Sequence, residues 1–144
     1  MSALSKIVKP VIVTPGDPSG IGPEITLKAA LSCKTPFVAI ADPNHMAKLS
    51  AELGLSLDIR IWLPGQKSDK RCLFVMAHSW PSEVIAGHPN EANSSSILSA
   101  IEQAVNQVLI GNASALVTNP INKYILYKAG FNYPGHTEFL ASLS

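Results

Sequence analysis

The segment Val11–Glu24, VIVTPGDPSGIGPE, limits what this chain can fold into more than any other stretch. Val11-Ile12-Val13-Thr14 is apolar or β-branched throughout and reads as a short buried strand. Gly16, Gly20 and Gly22 interleave with Pro15, Pro18 and Pro23 in the next residues, and Ile25–Ala30 then reads as a helix. Strand, glycine-rich loop and helix N-terminus in succession form an arrangement with which α/β proteins bind anions and cofactors. Pro23 suits the first helical position, where its missing N–H has no intrahelical partner to lose. The glycine spacing G-x-x-x-G-x-G matches neither the dinucleotide fingerprint nor a P-loop. A tight structural turn and a ligand loop both fit it. Asp17 can bond the loop's own backbone as an Asx-turn. Glu24 can favour the helix dipole with no ligand present.

The rest of the chain repeats the alternation. The first helix is expected from Pro23 to Cys33, and Phe37–Ala41 is a second buried strand. Asp42-Pro43 supplies a cap and an N1 proline for a helix that Gly54 ends. Leu57, Ile59, Ile61 and Leu63 alternate with polar or bulky residues, the period of a half-buried strand near a sheet edge. Residues 64–70 are a polar turn, Cys72–Met76 is a further strand, and 77–93 is a long loop of the kind that is often functional or covered by a neighbour. Ile97, Ile101, Ala104, Val105 and Val108 recur at helical spacing up to Gly111. Ala115–Thr118 reads as another buried strand, with Asn119 as the cap of a helix from Pro120 to Ala129. Thr137 is the expected cap of a last helix beginning at Glu138. Short strands alternating with helices imply a largely parallel sheet with helices on both faces. The last helix stops a few residues after it starts, so a truncated fold is expected.

Composition narrows the function. Hydrophobic residues make up 47% of the chain and charged residues 15%, which excludes a disordered chain and implies that a partner or further polypeptide covers some surface. A net charge of +1 argues against a nucleic-acid binder. No apolar run reaches the roughly 18 residues of a membrane span, and the N-terminus lacks the apolar core of a signal peptide. Cys33 and Cys72 match no metal or redox spacing and are expected as reduced thiols in a cytoplasmic protein. His45, His78 and His88 form no i,i+4 pair and no compact ligand cluster. Trp62 and Trp80 read as packing residues.

Two further stretches carry candidate chemistry. In Thr118–Lys123 a strand ends where open α/β sheets place ligands, and Lys123 is placed to meet a phosphate or carboxylate, or else to be a solvated lysine. In Pro134–Glu138 the imidazole of His136, the hydroxyl of Thr137 and a helix N-terminus together suit a phosphate or a substrate hydroxyl, or else form a capping box with His136 on the surface.

Taken together, TPGDPSGIGPE at Thr14–Glu24, ALVTNPINK at Ala115–Lys123 and AGFNYPGHTEFLA at Ala129–Ala141 closely resemble the 4-hydroxythreonine-4-phosphate dehydrogenase family. The resemblance covers the whole chain and less than half of a typical family member. It implies an isocitrate/isopropylmalate dehydrogenase-like α/β fold, with residues 1–130 as the N-terminal domain and 131–144 as the start of a central one. It implies oxidation of 4-phosphohydroxy-L-threonine by NAD or NADP, followed by decarboxylation to 3-amino-2-oxopropyl phosphate in pyridoxal phosphate biosynthesis. It implies a homodimer and a divalent metal (Zn, Mg or Co) whose histidine ligands lie beyond this chain. His136 and Thr137 inherit substrate binding, and Gly16, Asp17, Gly22 and Lys123 are candidate substrate or cofactor contacts. The 144-residue chain alone is expected to be inactive. The alternative is a non-catalytic shortened homologue that binds phosphate or a full-length subunit.

Overall fold

A computed structural model describes residues 9–66 and 72–144. Five strands form one parallel sheet: β1 (Val11–Val13), β2 (Phe37–Ala41), β3 (Asp58–Ile61), β4 (Cys72–Ala77) and β5 (Ala115–Val117), in the order β3-β4-β2-β1-β5. The helices are α1 (Gly22–Ser32), α2 (Pro43–Glu52), α3 (Ser94–Leu109), α4 (Lys123–Lys128) and α5 (His136–Leu143), with a short 3-10 turn at Glu91–Asn93.

Side-chain alternation along the strands builds two cores. Ala39 and Ala41 of β2 and Leu73 and Val75 of β4 point to the face covered by α1 and α2, where they enclose Leu27 and Met46. Ile12 and Ile40 point to the opposite face and pack on Ala100 and Ala104 of α3. The small alanines on α3 let that helix lie close to the central strands. A third cluster joins Ile97 and Ile101 of α3 to Leu126, Phe131 and Phe139, and so seats α4 and α5. Leu27 is fully buried. Leu27→Ala is expected to cost about 3 kcal/mol, as a deleted core side chain leaves a cavity the packed helix pair cannot close; urea unfolding measures it.

Most boundaries follow the local signals. Asp42 caps α2, its carboxylate accepting from Asn44 N at 2.9 Å and His45 N at 3.4 Å. β3 is an edge strand, although at and just past its end the burial runs against the expected alternation, with Trp62 buried and Ile61 and Leu63 exposed. The polar turn expected over 64–70 lies partly outside the described residues, as does most of the N-terminal lead-in. Cys33 is exposed and Cys72 buried, and neither is in a disulfide.

Three expectations are corrected. β5 is the second sheet edge, and Ala115 and Val117 are exposed where a buried strand was expected. The fourth helix begins at Lys123, capped by Asn122, whose side chain accepts from Ile125 N at 3.2 Å. Pro120 is followed by non-helical backbone because Asn119 is engaged elsewhere. The last helix begins at His136 with Gly135 at the cap, so Thr137 lies inside its first turn.

Beside β5, Val11, Val13, Ile25, Ala29, Phe37 and Val117 line an open apolar groove of about 420 Å³.

Candidate functional site

Because every strand is parallel, the loops that leave their carboxyl ends share one edge of the sheet. That edge collects the glycine loop after β1, Asp42 after β2, His78 and Trp80 after β4, and the loop 118–122 after β5. In open α/β sheets this is the ligand-binding edge.

Two of these loops are joined through Asn119, a buried residue. Its side-chain amide donates to Thr14 O and to Thr26 Oγ1, both at 2.9 Å, and its backbone N–H donates to Thr14 Oγ1 at 3.2 Å. Thr14 N donates to Val117 O and Asp17 N to Pro120 O, each at 2.9 Å. Gly16 and Gly22 lie directly against this joint. A side-chain carbon built on Gly16 would sit 2.3 Å from Pro120 O, and one on Gly22 would sit 2.5 Å from Pro15 O. Both glycines therefore face protein, and only Gly20 and Ile21 form an exposed corner of the loop. Asp17 makes the Asx-turn, accepting from Ser19 N at 2.8 Å. Glu24 is half-buried and pairs with Lys28 at 3.4 Å.

The second cluster forms where α4 and α5 begin. A side-chain carbon on Gly135 would lie 3.6 Å from both Lys123 Cε and Lys123 Nζ, so the lysine head rests beside the start of α5. No side chain caps α5, which leaves its first-turn N–H groups without a side-chain acceptor. His136 Nε2 is buried without a hydrogen-bond partner. Thr137 is exposed beside it. An ammonium, an imidazole nitrogen and amide N–H groups without a side-chain cap thus lie together at the start of α5, with Glu138 Oε2 3.9 Å from the same built carbon, and the donors among them suit an oxyanion. Burial, and secondarily the charge of Lys123, hold the His136 pKa below 6.5.

His45 is also lowered, chiefly by burial and against the raising effect of Asp42 and Glu52. For both histidines the unfolded chain takes up the proton more readily than the folded one. Their contribution to stability is therefore complete above pH 6.5 and is lost as pH falls through the lower folded values. Stability is expected to decline between pH 7 and 5, and His136→Gln to flatten that decline; urea midpoints across the range test it.

The third group was not visible in the sequence. His78 Nε2 lies 2.8 Å from Ser96 O and 2.9 Å from Ser96 Oγ, while Gln103 Nε2 lies 3.3 Å from His78 Nδ1. The Ser96 hydroxyl donates to Ser79 O at 2.9 Å. Together these contacts brace the long loop against α3. His78 also meets Trp80 edge-on at 5.0 Å. Beneath Trp80, Thr14, Asp42, His45 and Met46 enclose a cavity of about 10 Å³, room for a single water.

Among the described residues no group of three or more His, Cys, Asp or Glu side chains converges to hold a metal ion. No helix among them is long and apolar enough to cross a membrane.

The sequence profile of the pyridoxal phosphate biosynthetic protein PdxA family matches residues 32–144. A 4-hydroxythreonine-4-phosphate dehydrogenase of Methylorubrum extorquens is 43% identical over 145 residues, covering 94% of this chain and 41% of the relative. One from Thioalkalivibrio sulfidiphilus is 39% identical over 138 residues, covering 93% and 42%. The crystal structure of 4-hydroxythreonine-4-phosphate dehydrogenase from Klebsiella pneumoniae superposes with a TM-score of 0.82 at 31% identity, covering 94% of this chain and 44% of that one. The chain thus spans less than half the length of these relatives. With the profile match spanning most of the chain, including Asn119 and the Lys123–His136 cluster, the chain belongs to the pyridoxal phosphate biosynthetic protein PdxA family.

Proposed function

We propose that this chain forms one wall of the active site of an enzyme that oxidises 4-phosphohydroxy-L-threonine with NAD or NADP, the product then losing carbon dioxide to give 3-amino-2-oxopropyl phosphate. The observation that carries the proposal is the convergence of Lys123 Nζ, the partnerless His136 Nε2 and the uncapped start of α5 at Gly135. These groups bind the phosphate end of the substrate. Lys123 supplies the charge, Thr137 and the α5 amides supply directed donors, and a neutral His136 hydrogen-bonds a phosphate oxygen or an adjacent hydroxyl.

The names of the relatives support the substrate class. Their standing as dehydrogenases supports a nicotinamide cofactor, which would accept the hydride from the substrate's secondary alcohol. Gly16 and Gly22 serve that cofactor by shaping the loop, since both face Asn119 or its neighbours. The surface open to it is the Gly20–Ile21 corner. A divalent metal is also part of this reading, and among the described residues no three His, Cys, Asp or Glu side chains converge on one point. In this reading its ligands come from polypeptide beyond the chain, as does the opposite wall of the cleft. Residues from about 131 onward begin the second domain, and the complete protein works as a homodimer in the cytoplasm.

Isothermal titration of the chain with 4-phosphohydroxy-L-threonine tests the proposal. Lys123→Ala and His136→Ala are each expected to weaken binding by roughly 10-fold or more, the worth of a charge-assisted hydrogen bond. Unchanged affinity in both variants would refute the site.

A further inference from the structure

The phosphate-binding groups sit on two different elements, Lys123 on α4 and His136 and Thr137 on α5. Residues 129–135 between them are neither helix nor strand. One oxyanion can use both helices only if this segment keeps them at a fixed separation. Its inner side is fastened to the core by aromatic packing. Buried Phe131 has its ring centroid 5.4 Å from those of both Tyr133 and Phe139, and Tyr133 and Phe139 lie 5.3 Å apart.

The outer side is fastened by Tyr127. It stands one turn after Lys123 on α4, so the two side chains share a helix face. The Pro134–Gly135 turn lies across that face. The Tyr127 hydroxyl donates to Pro134 O at 3.3 Å, and a side-chain carbon on Gly135 would lie 3.6 Å from Lys123 Nζ. A proline has no N–H, so its carbonyl is the one hydrogen-bonding group Pro134 offers. The Tyr127 ring is itself held, stacked on Phe131 with centroids 6.2 Å and planes 21° apart. The hydroxyl bond is exposed, so it adds little to the stability of the whole chain. Its place is its significance: it joins the helix that carries Lys123 to the residue just before the cap of α5.

We propose that Tyr127 is a positioning residue for phosphate binding: by holding Pro134 O it fixes the start of α5 against Lys123, so that the ammonium and the α5 donors meet one oxyanion together. This rests on the phosphate end of the substrate lying at Lys123 and His136. Without the tie the aligned arrangement is populated for less of the time, and affinity falls by that fraction. The test is a double-mutant cycle. 4-Phosphohydroxy-L-threonine is titrated by calorimetry into the chain, Tyr127→Phe, Lys123→Ala and the double variant. Tyr127→Phe keeps the ring on Phe131. It is expected to weaken binding roughly three- to tenfold, the worth of one hydrogen bond, with the urea midpoint unchanged. In the Lys123→Ala background the same substitution should change affinity by less than about twofold, because the lysine it aligns is gone. Unchanged affinity in Tyr127→Phe would overturn the proposal. So would equal weakening in both backgrounds, the mark of a hydroxyl that touches the ligand directly. So would a urea midpoint that falls along with the affinity, the mark of a purely structural bond. In each of these cases a loss of affinity in Lys123→Ala leaves the phosphate site standing. Affinity that neither Lys123→Ala nor Tyr127→Phe alters, or no binding to the unsubstituted chain, would overturn both.

Discussion

Gly16→Ala is expected to destabilise the chain by at least about 3 kcal/mol, a large part of the 5–15 kcal/mol that holds a typical domain together. Two costs combine. Gly16 has φ +66, where an L side chain crowds its own carbonyl by about 1–2 kcal/mol. The added carbon would also lie 2.3 Å from Pro120 O and 2.9 Å from Asn119 Cβ, closer than atoms can pack. Neither neighbour is a flexible side-chain end that can swing aside. Gly54 separates the two costs. It has φ +70 but nothing within 4 Å of an added carbon, so Gly54→Ala should cost only the first. Gly22 shows the converse, a contact of 2.5 Å to Pro15 O without a left-handed φ. Urea midpoints should fall in the order Gly54→Ala, Gly22→Ala, Gly16→Ala. Equal costs for Gly54→Ala and Gly16→Ala would mean that the two loops are not pressed together.

Asn119→Ala is expected to cost about 2–4 kcal/mol. It removes two buried hydrogen bonds and leaves Thr14 O without its donor in a site closed to water. Asn119→Asp keeps the shape and reverses the chemistry. A carboxylate there would face the Thr14 carbonyl, so burial and the missing donors would raise its folded pKa above the usual 3.9. With the folded value raised, the variant is most stable below the unfolded pKa and loses stability as pH rises through the folded one. Asn119→Asp should therefore approach the native midpoint near pH 4 and fall well below it at pH 7. The loss should extend to ligand affinity, because the same residue sets the path of the loop that leads to Lys123.

The order of elements was legible in the sequence because it rests on local signals. Apolar runs, the Asp42-Pro43 cap and the glycine stops act within a few residues of themselves. The failures come where a distant contact outweighs a local one. Asn119 followed by proline has every mark of a helix cap, but its partners Thr14 and Thr26 lie 105 and 93 residues away, and a single sequence carries no trace of them. Once the amide is committed there, the capping role passes to Asn122. β5 looks like a buried strand because three apolar residues suit a sheet interior or an uncovered edge equally well. Of the candidate site, the residue types at Lys123, His136 and Thr137 were readable, but the approach of Lys123 to Gly135 was not. The Asx bond at Asp17 was legible in the glycine loop because it spans only two residues. That the absent side chains of Gly16 and Gly22 make room for protein could be learned only from the packing.

Phosphate is expected to bind at the start of α5, with Lys123 beside it. Amide chemical shifts of the 15N-labelled chain, followed while 4-phosphohydroxy-L-threonine is added, test this most directly. Saturable shifts are predicted at His136, Thr137 and Glu138, together with a shift at the Lys123 side chain. Asn44 and His45 at the start of α2, where the Asp42 carboxylate already occupies the amides, should stay still. Shifts centred on α2, or none at all at His136 and Thr137 at saturating ligand, would contradict it.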